Sequence, residues 1–207
     1  LEITITKRIP PGGGLGGGSS NAAVVLAELN KRYNQAFSMP ELMEIGLGLG
    51  ADIPFFIHGG PAVATGVGET LSPVENLPPY HLILCDPGVA ASTAEVYKNI
   101  DFRLTIGQKD NIKTGLNVLS SGRDFDPGRY LNNDLEESAC RLYPQIRSAR
   151  EQLAEQLGRQ VFMTGSGSTL FALFSSYEKA KKGFGRLSGT WPQASSRFFL
   201  SALKQAD

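Results

Sequence analysis

The feature that most constrains this chain is a glycine-rich loop between two regular elements. Six glycines occupy the segment from Pro10 to Gly18, and Ser19, Ser20 and Asn21 follow directly. The preceding residues 1–8 alternate apolar and polar side chains, a pattern that predicts a half-buried strand. A helix capped by Ser19 or Ser20 is predicted after the loop. A strand, a glycine loop and a helix in this order are typical of a site where backbone N–H groups bind an anion.

The glycines suit that purpose because they allow positive φ angles and close approach of the backbone to a ligand. The open N–H groups of the helix start, its dipole and the serine hydroxyls favour a polyphosphate with Mg²⁺. A Walker A loop is disfavoured because no lysine follows the glycines. Gly12, Gly14 and Gly17 satisfy the dinucleotide pattern GxGxxG, but the acidic residue expected about 20 positions later is absent from a strand end. A flexible glycine linker is disfavoured by the flanking strand and helix.

The rest of the chain predicts helices and antiparallel strands. Helices are predicted at residues 39–48, 93–99, 108–120, 134–157 and 177–187, a hairpin at 61–74, and strands at 80–85, 161–164, 169–174 and 196–202. Residues 121–128 read as a polar loop, and 51–58 as a short apolar run broken by Pro54. The final strands, which follow a long helix, favour an α+β sandwich with helices on one face of an antiparallel sheet.

Composition and charge argue against several classes of partner. Lys+Arg and Asp+Glu are 20 each, so the formal net charge is zero, and hydrophobic residues make up 41%. Nucleic acid and anionic membranes select basic surfaces, and no apolar run approaches the roughly 20 residues of a membrane span. Cys85 and Cys140 form no CxxC pair, and His58 and His81 are too few for a Cys/His zinc cluster. We expect inert buried thiols in a reducing cytoplasm and a structural His58.

Four segments in sequence order resemble the GHMP kinase superfamily, which includes galactokinase, homoserine kinase and mevalonate kinase. The loop Pro-Pro-Gly-Gly-Gly-Leu-Gly-Gly-Gly-Ser-Ser-Asn is similar to the second motif of the superfamily. Residues 164–171, Thr-Gly-Ser-Gly-Ser-Thr-Leu-Phe, are similar to the third motif. Residues 49–56 and the Asn-Asp-Leu-Glu element at 133–136 also match. The resemblance is strongest to the branch whose substrate is a cytidine diphosphate-linked methylerythritol.

The resemblance implies an α+β protein with a two-domain GHMP kinase architecture. Residues 1–75 would be the remainder of the N-terminal, ATP-binding domain, with a truncated fold like domain 2 of ribosomal protein S5. Residues 76–207 would be a C-terminal domain with a ferredoxin-like α/β sandwich. The family's first motif, with a lysine that acts beside the catalytic aspartate, is not found in this chain. We therefore expect that an N-terminal part is missing and that the 207-residue chain alone has little or no kinase activity.

The resemblance also implies the site residues. Asp52 would be the catalytic base that takes the proton of the substrate hydroxyl, and it would contact the substrate. The residues implied in ATP binding are Lys7, Pro11, Gly12, Gly13, Gly14, Leu15, Gly16, Gly17, Gly18, Ser19, Ser20 and Asn21, with Ser20 also a candidate ligand of Mg²⁺. Those implied in substrate binding, besides Asp52, are Thr93, Tyr97, Gly165, Ser166 and Gly167.

Each of these roles has a structural alternative. Asp52 would then cap a turn, Tyr97 would pack in the core, and Lys7 would be a solvated lysine at a strand edge. Residues 165–168, within the second glycine segment (residues 164–169), would be a tight hairpin turn. The Asn-Asp pair at 133–134 is interpreted as a cap of the long helix.

The function implied by the resemblance is ATP- and Mg²⁺-dependent phosphorylation of a hydroxyl of the cytidyl substrate, in non-mevalonate isoprenoid synthesis. The partner would be this small molecule, and the protein would be a cytoplasmic monomer or weak homodimer. One alternative is another GHMP kinase that acts on homoserine or mevalonate, which the triple glycine before Ser19 and the Ser92–Thr93 segment disfavour. The other is a nucleotide-binding protein without catalysis, which Asp52 disfavours for the parent enzyme and which stays open for the 207-residue chain alone.

Overall fold

The computed structural model describes residues 2–7, 9, 11–75, 77, 79–101, 114–118, 121, 126–190 and 197–202. These residues form two compact units. One unit contains the described residues of Leu1–Leu15 and Pro78–Lys204, and the other contains those of Gly16–Leu77. The glycine loop is therefore shared, with its first half in one unit and its second half in the other. The domain boundary predicted at residues 75 and 76 stays a prediction.

The Gly16–Leu77 unit contains three helices and a hairpin within its described residues. Helix α1 spans Gly17–Arg32, α2 spans Met39–Leu49, α3 spans Ile53–His58, and strand β1 (Ala62–Thr65) pairs antiparallel with β2 (Thr70–Pro73). The predicted helix at 39–48 and the predicted hairpin are thus confirmed. Gly46 allows α2 to approach α3 closely, because a Cβ at this position would lie 2.9 Å from the side chains of Ile53 and Ile57.

The start of α2 is fixed by a pair of hydrogen bonds. The Oγ–H and the backbone N–H of Ser38 each donate to Glu41 Oε2 at 2.7 Å, and these bonds lower the pKa of Glu41. A carboxylate with a lowered pKa stabilises the fold above its unfolded-state pKa, and this contribution is lost as the pH falls through the folded-state pKa.

We expect the wild type to lose melting temperature more steeply between about pH 6 and pH 3 than Glu41→Gln does, because the glutamine has no proton to gain. Thermal melts over this range test the prediction. Glu44→Gln, which removes an exposed carboxylate from the same helix, should keep the wild-type slope. A Glu41→Gln profile parallel to that of the wild type would contradict it.

The other unit is built on a four-stranded antiparallel sheet. Its strands are β3 (His81–Asp86), β4 (Phe162–Met163), β5 (Leu170–Phe174) and β6 (Arg197–Ala202). They are arranged β4-β5-β3-β6, so that the second, third, first and fourth strands of the sheet lie side by side. This order is that of a ferredoxin-like sandwich, and the predicted α+β fold class is confirmed.

Helices of the same unit cover one face of that sheet. The helices of this unit, within its described residues, are α4 (Thr93–Lys98), α5 (Pro127–Tyr130), α6 (Glu136–Leu142), α7 (Pro144–Leu157) and α8 (Tyr177–Thr190), and residues 114–118 are also helical. Alternate residues of β3 and β5 share one buried cluster with apolar side chains of α4, α6, α7 and α8. The remainder of the helix predicted at 108–120, and much of the loop predicted at 121–128, lie outside the described residues.

Both cysteines contribute to this cluster as free, buried thiols, as predicted. Burial, together with the charge of Asp86, raises the pKa of the Cys85 thiol to about 12. Burial also raises the pKa of Cys140. Neither thiol is therefore a ready thiolate.

Two predicted elements differ from the structure. The single helix expected at 134–157 is divided into α6 and α7, because Pro144 lacks an N–H group and the residue before it, Tyr143, is non-helical at φ −129 and ψ 80. The strand expected at 1–8 is wrong, since residues 2–7 are exposed and in no strand. An alternating pattern becomes a strand only when a neighbouring strand completes its hydrogen bonds, and none in the described part of the chain pairs with these residues. No helix of the described residues is long and apolar enough to cross a membrane.

Candidate phosphate and substrate site

The first half of the glycine loop lies directly against the turn between β4 and β5. The carbonyl of Gly13 accepts a hydrogen bond from the Thr169 N–H at 3.2 Å, and that of Gly14 accepts one from Thr164 Oγ1 at 3.0 Å. Gly14 has a φ of +71°, and a Cβ there would lie 2.4 Å from the Thr164 carbonyl oxygen. Gly165 has a φ of +54°, and its Cβ would lie 3.0 Å from the Gly14 oxygen. The two glycine segments thus meet backbone to backbone.

The second glycine segment, residues 164–169, is a tight turn closed by its own backbone. The Gly167 N–H donates to the Thr164 carbonyl, and the Thr164 N–H donates to the Thr169 carbonyl, both at 3.0 Å. The hairpin-turn interpretation therefore holds, and it is compatible with a binding role because the turn is what directs the N–H groups. Ser166 is buried, and its Oγ lies 2.8 Å from Thr93 Oγ1 in a hydroxyl–hydroxyl hydrogen bond.

That bond brings the predicted substrate segment to the turn. Ser92 is the N-cap of α4, and its side chain accepts a hydrogen bond from the Glu95 N–H. The Ser92 N–H in turn donates to Tyr143 Oη at 3.1 Å. The ring of Tyr97 is 56% exposed, so the interpretation of Tyr97 as a core residue is wrong. An exposed ring on a well-anchored helix is available to stack on a planar ligand.

The second half of the loop starts α1 in the Gly16–Leu77 unit. Gly16 is the N-cap with a left-handed φ of 63°, and a Cβ there would lie 2.5 Å from the Phe56 ring. The helix begins at Gly17, so the prediction that Ser19 or Ser20 caps it is wrong. Glycine takes the cap position because only glycine fits both the backbone angle and the space beside the ring.

This helix start suits an anion. The Ser20 N–H is already bonded to the Gly16 carbonyl at 2.8 Å, whereas those of Gly17, Gly18 and Ser19 have no partner within the helix. No acidic residue lies in the first turn to offset the positive end of the dipole. The hydroxyls of Ser19 and Ser20, both half-buried, add further polar groups.

Asp52 lies in the same unit, at the N-cap position of α3. Its side chain is exposed and makes no capping hydrogen bond. The capping alternative is therefore wrong, and the carboxylate is not engaged in holding its own helix.

The remaining residues implied in ATP binding differ in their exposure. Lys7, Pro11 and Gly12 are exposed, and the Lys7 side chain makes no hydrogen bond or ion pair with another described residue. Leu15 and Asn21 are half-buried. Their contacts with a nucleotide stay predictions.

The donor set for Mg²⁺ is small. Among the described residues, no group of three or more His, Cys, Asp or Glu side chains is placed to hold a metal ion. Mg²⁺ commonly keeps several waters and uses one or two protein ligands plus the phosphates of a nucleotide. The Ser20 hydroxyl therefore fits a metal that arrives with its nucleotide and does not fit a resident metal centre.

Asn133 is the residue that the sequence patterns did not single out as functional. Its Nδ2 donates to the carbonyls of Met163 and Gly165 at 2.9 and 2.8 Å, and its Oδ1 accepts from the Leu135 N–H at 3.0 Å. The N-cap of α6 is Leu135, so the prediction that Asn133 and Asp134 cap this helix is wrong. No local pattern indicates the contacts of Asn133, because its partners lie 30 and 32 residues away in the chain.

The fold and the paired glycine segments are those expected of the GHMP kinase family, and the chain belongs to this family. Its residues 1–60 match the model of the GHMP kinases N terminal domain, and residues 120–193 match that of the GHMP kinases C terminal. The family resemblance seen in the sequence is confirmed.

Two similar sequences and one solved structure are kinases of the same substrate. A 4-diphosphocytidyl-2-C-methyl-D-erythritol kinase of Syntrophotalea carbinolica is 44% identical over 181 residues, which cover 87% of this chain and 62% of the relative. One of Syntrophus aciditrophicus is 39% identical over 193 residues, 92% of this chain and 67% of the relative. A crystal structure of 4-(cytidine 5'-diphospho)-2C-methyl-D-erythritol kinase superposes with a TM-score of 0.73 at 34% identity, covering 97% of this chain and 69% of that one. The chain thus spans about two thirds of the length of these relatives.

Proposed function

We propose that this chain carries nucleotide and substrate sites of an ATP-dependent kinase that phosphorylates the 2-hydroxyl of 4-diphosphocytidyl-2-C-methyl-D-erythritol, in non-mevalonate isoprenoid synthesis. The observation that carries the proposal is the backbone contact of Gly13 and Gly14 with the turn at 164–169. The hydrogen bonds to Gly13 and Gly14 hold this part of the glycine loop in one conformation. The names of the similar proteins support the choice of substrate.

In this proposal, catalysis rests on positioning and electrostatics. The open N–H groups of Gly17, Gly18 and Ser19 would bind phosphate oxygens, and the Ser20 hydroxyl would hold the Mg²⁺ of the nucleotide. That Mg²⁺, when bound, neutralises charge on the phosphates. Asp52 accepts the proton of the substrate hydroxyl while the oxygen of that hydroxyl forms a bond to the γ-phosphorus of ATP. The bond between that phosphorus and the ADP leaving group breaks.

The substrate is bound in this proposal by the α4 segment and the second glycine turn. Thr93 and Ser166, joined by their hydroxyls at 2.8 Å, present polar groups, and the backbone of Gly165 and Gly167 borders them. Tyr97 stacks on the cytosine ring, an interaction typically worth roughly 1–3 kcal/mol. We also propose a cytoplasmic protein that is a monomer or weak homodimer. Nucleic acid and anionic membranes are disfavoured as partners because both select strongly basic proteins and this chain has a formal net charge of zero.

A substrate panel tests the proposal. The protein as its cell produces it should turn over the cytidyl substrate roughly 5- to 150-fold more efficiently than homoserine or mevalonate, because only the cytidyl substrate offers a base to stack. Release of ADP, coupled to a spectrophotometric reaction, measures kcat/KM for each. Faster turnover of homoserine or mevalonate would overturn the choice of substrate, and nucleotide binding without any turnover would favour a nucleotide-binding protein without catalysis.

The same assay isolates the stacking role. Tyr97→Ala should raise KM for the cytidyl substrate by roughly 5- to 150-fold with the KM for ATP unchanged, and Tyr97→Phe should stay close to the wild type because it keeps the ring. Tyr33→Ala removes a ring that is 68% exposed in the other unit and serves as the matched control. Equal effects of Tyr97→Ala and Tyr33→Ala would contradict the assignment.

A further inference from the structure

Two side chains of the Asn-Asp-Leu-Glu element, those of Asn133 and Glu136, form hydrogen bonds with the backbone at the start of the turn at 164–169. Asn133 donates to the Met163 and Gly165 carbonyls at 2.9 and 2.8 Å. Glu136 Oε2 accepts from the Met163 N–H at 3.3 Å, and its other oxygen pairs with Arg150. The backbone at the start of the turn is thus fixed on both its donor and its acceptor side.

These contacts continue into the glycine loop. The turn that Asn133 holds at Gly165 is the same turn whose Thr164 hydroxyl and Thr169 N–H bind the carbonyls of Gly14 and Gly13. The fit there is tight, since a Cβ on Gly14 would overlap the backbone of the turn. A displacement of Gly165 by a few tenths of an ångström would therefore displace the backbone of Gly14 as well.

We infer that Asn133, supported by Glu136, is a positioning residue that sets the conformation of the glycine loop at Gly13 and Gly14 through the turn at 164–169. Its role goes beyond the local turn at Leu135, because the amide hydrogens and the Oδ1 atom have separate partners. Oδ1 serves the local turn at Leu135, and Nδ2 serves the glycine turn. The consequence for nucleotide affinity rests on the proposed function, whereas the consequence for the turn does not.

Asn133→Asp separates these two tasks, because aspartate keeps the acceptor for the Leu135 N–H and loses both donors. Asn133→Ser replaces the amide by a shorter hydroxyl without adding a charge, and its single hydrogen cannot serve both carbonyls. It covers the case in which the aspartate variant does not fold. Gln145→Glu makes the same amide-to-carboxylate change at an exposed position of α7. Ile83→Val, in the fully buried core of β3, loses stability without touching the turn.

The first readout is amide hydrogen exchange in the 207-residue chain, without nucleotide. In the Asn133 variants, the Gly167 and Thr169 amides should exchange at least about tenfold faster relative to the amides of β3. In Ile83→Val the exchange rates of all protected amides should rise together. In Gln145→Glu the exchange rates should stay at their wild-type values. Unchanged relative exchange at the turn in folded Asn133 variants would overturn the inference.

The second readout is calorimetric binding of a non-hydrolysable ATP analogue with Mg²⁺. We expect about a tenfold higher Kd for the Asn133 variants and the wild-type Kd for both controls. Faster amide exchange in the turn at 164–169 together with an unchanged Kd would overturn the coupling of that turn to the glycine loop. A wild type that binds no nucleotide would count against the proposed function alone, because the exchange experiment still decides the role of Asn133.

Discussion

Gly14→Ala is expected to destabilise the protein by roughly 2–5 kcal/mol and to abolish binding of an ATP analogue at concentrations that saturate the wild type. An alanine at a φ of +71° is strained, and its Cβ would lie 2.4 Å from the Thr164 oxygen and 2.8 Å from the Gly167 oxygen. Both atoms belong to the backbone, so neither can move aside as the end of a flexible side chain would. Relief requires the glycine loop and the turn to separate.

Gly12→Ala is the matched control for this variant. Gly12 has nearly the same φ, +73°, but nothing lies within 4 Å of a Cβ built on it. Gly12→Ala should therefore lower the free energy of unfolding only by the cost of placing an alanine in a left-handed backbone conformation, roughly 1–2 kcal/mol. Urea denaturation gives the two free energies of unfolding, and calorimetry gives the two affinities.

Similar losses in the Gly12 and Gly14 variants would mean that backbone strain, and not contact between the two glycine segments, makes these positions glycine. A Gly14→Ala protein that still binds the nucleotide would sever the link between that contact and the phosphate site. The expected order, with Gly14 far more sensitive than Gly12, follows only if the contact with the turn is what fixes the loop.

The elements of this site could be predicted from the sequence, but their assembly could not. Glycine density and the flanking patterns mark the loop and the turn at 164–169, because each glycine signals a local backbone requirement. Their contact joins Thr164 to Gly14 across 150 residues of chain. Local propensity contains no information at that range, and the contacts of Asn133 with Met163 and Gly165 could not be predicted for the same reason.

The errors in secondary structure also have local causes. The apolar stripe across 134–157 predicts one helix, and Pro144 breaks it without changing the stripe, because a proline alters the backbone and leaves the side-chain spacing intact. Residues 2–7 have the alternation of a strand but no partner strand among the described residues. At α1, the preference of serine for N-caps is overridden by Gly16, whose left-handed φ and contact with Phe56 place the cap earlier.

The same distinction between local signal and assembly applies to Asp52. The sequence marks the residue through the family motif, and the structure adds that its carboxylate is exposed and caps nothing. An acidic residue at an N-cap position usually accepts a hydrogen bond from its helix, and replacing it costs stability. Because Asp52 makes no such bond, its replacement should affect chemistry and leave folding nearly unchanged.

We therefore expect Asp52→Asn to lower kcat by about 10²- to 10⁴-fold, the usual contribution of a general base. The free energy of unfolding should change by less than about 0.5 kcal/mol, and the affinity for an ATP analogue should be retained. The measurements are ADP release by the protein as its cell produces it, urea denaturation and calorimetry.

Glu44→Gln is the control, since it also removes one negative charge from an exposed site in the same unit. It should leave kcat, affinity and stability at wild-type values. If Asp52→Asn instead lost stability while kcat stayed within a few-fold of the wild type, the carboxylate would be structural and the proposed base would have to be another residue. A loss of nucleotide affinity as large as the loss of kcat would make Asp52 a ligand of the bound nucleotide or its Mg²⁺, because a base acts on the transition state and leaves ground-state binding intact.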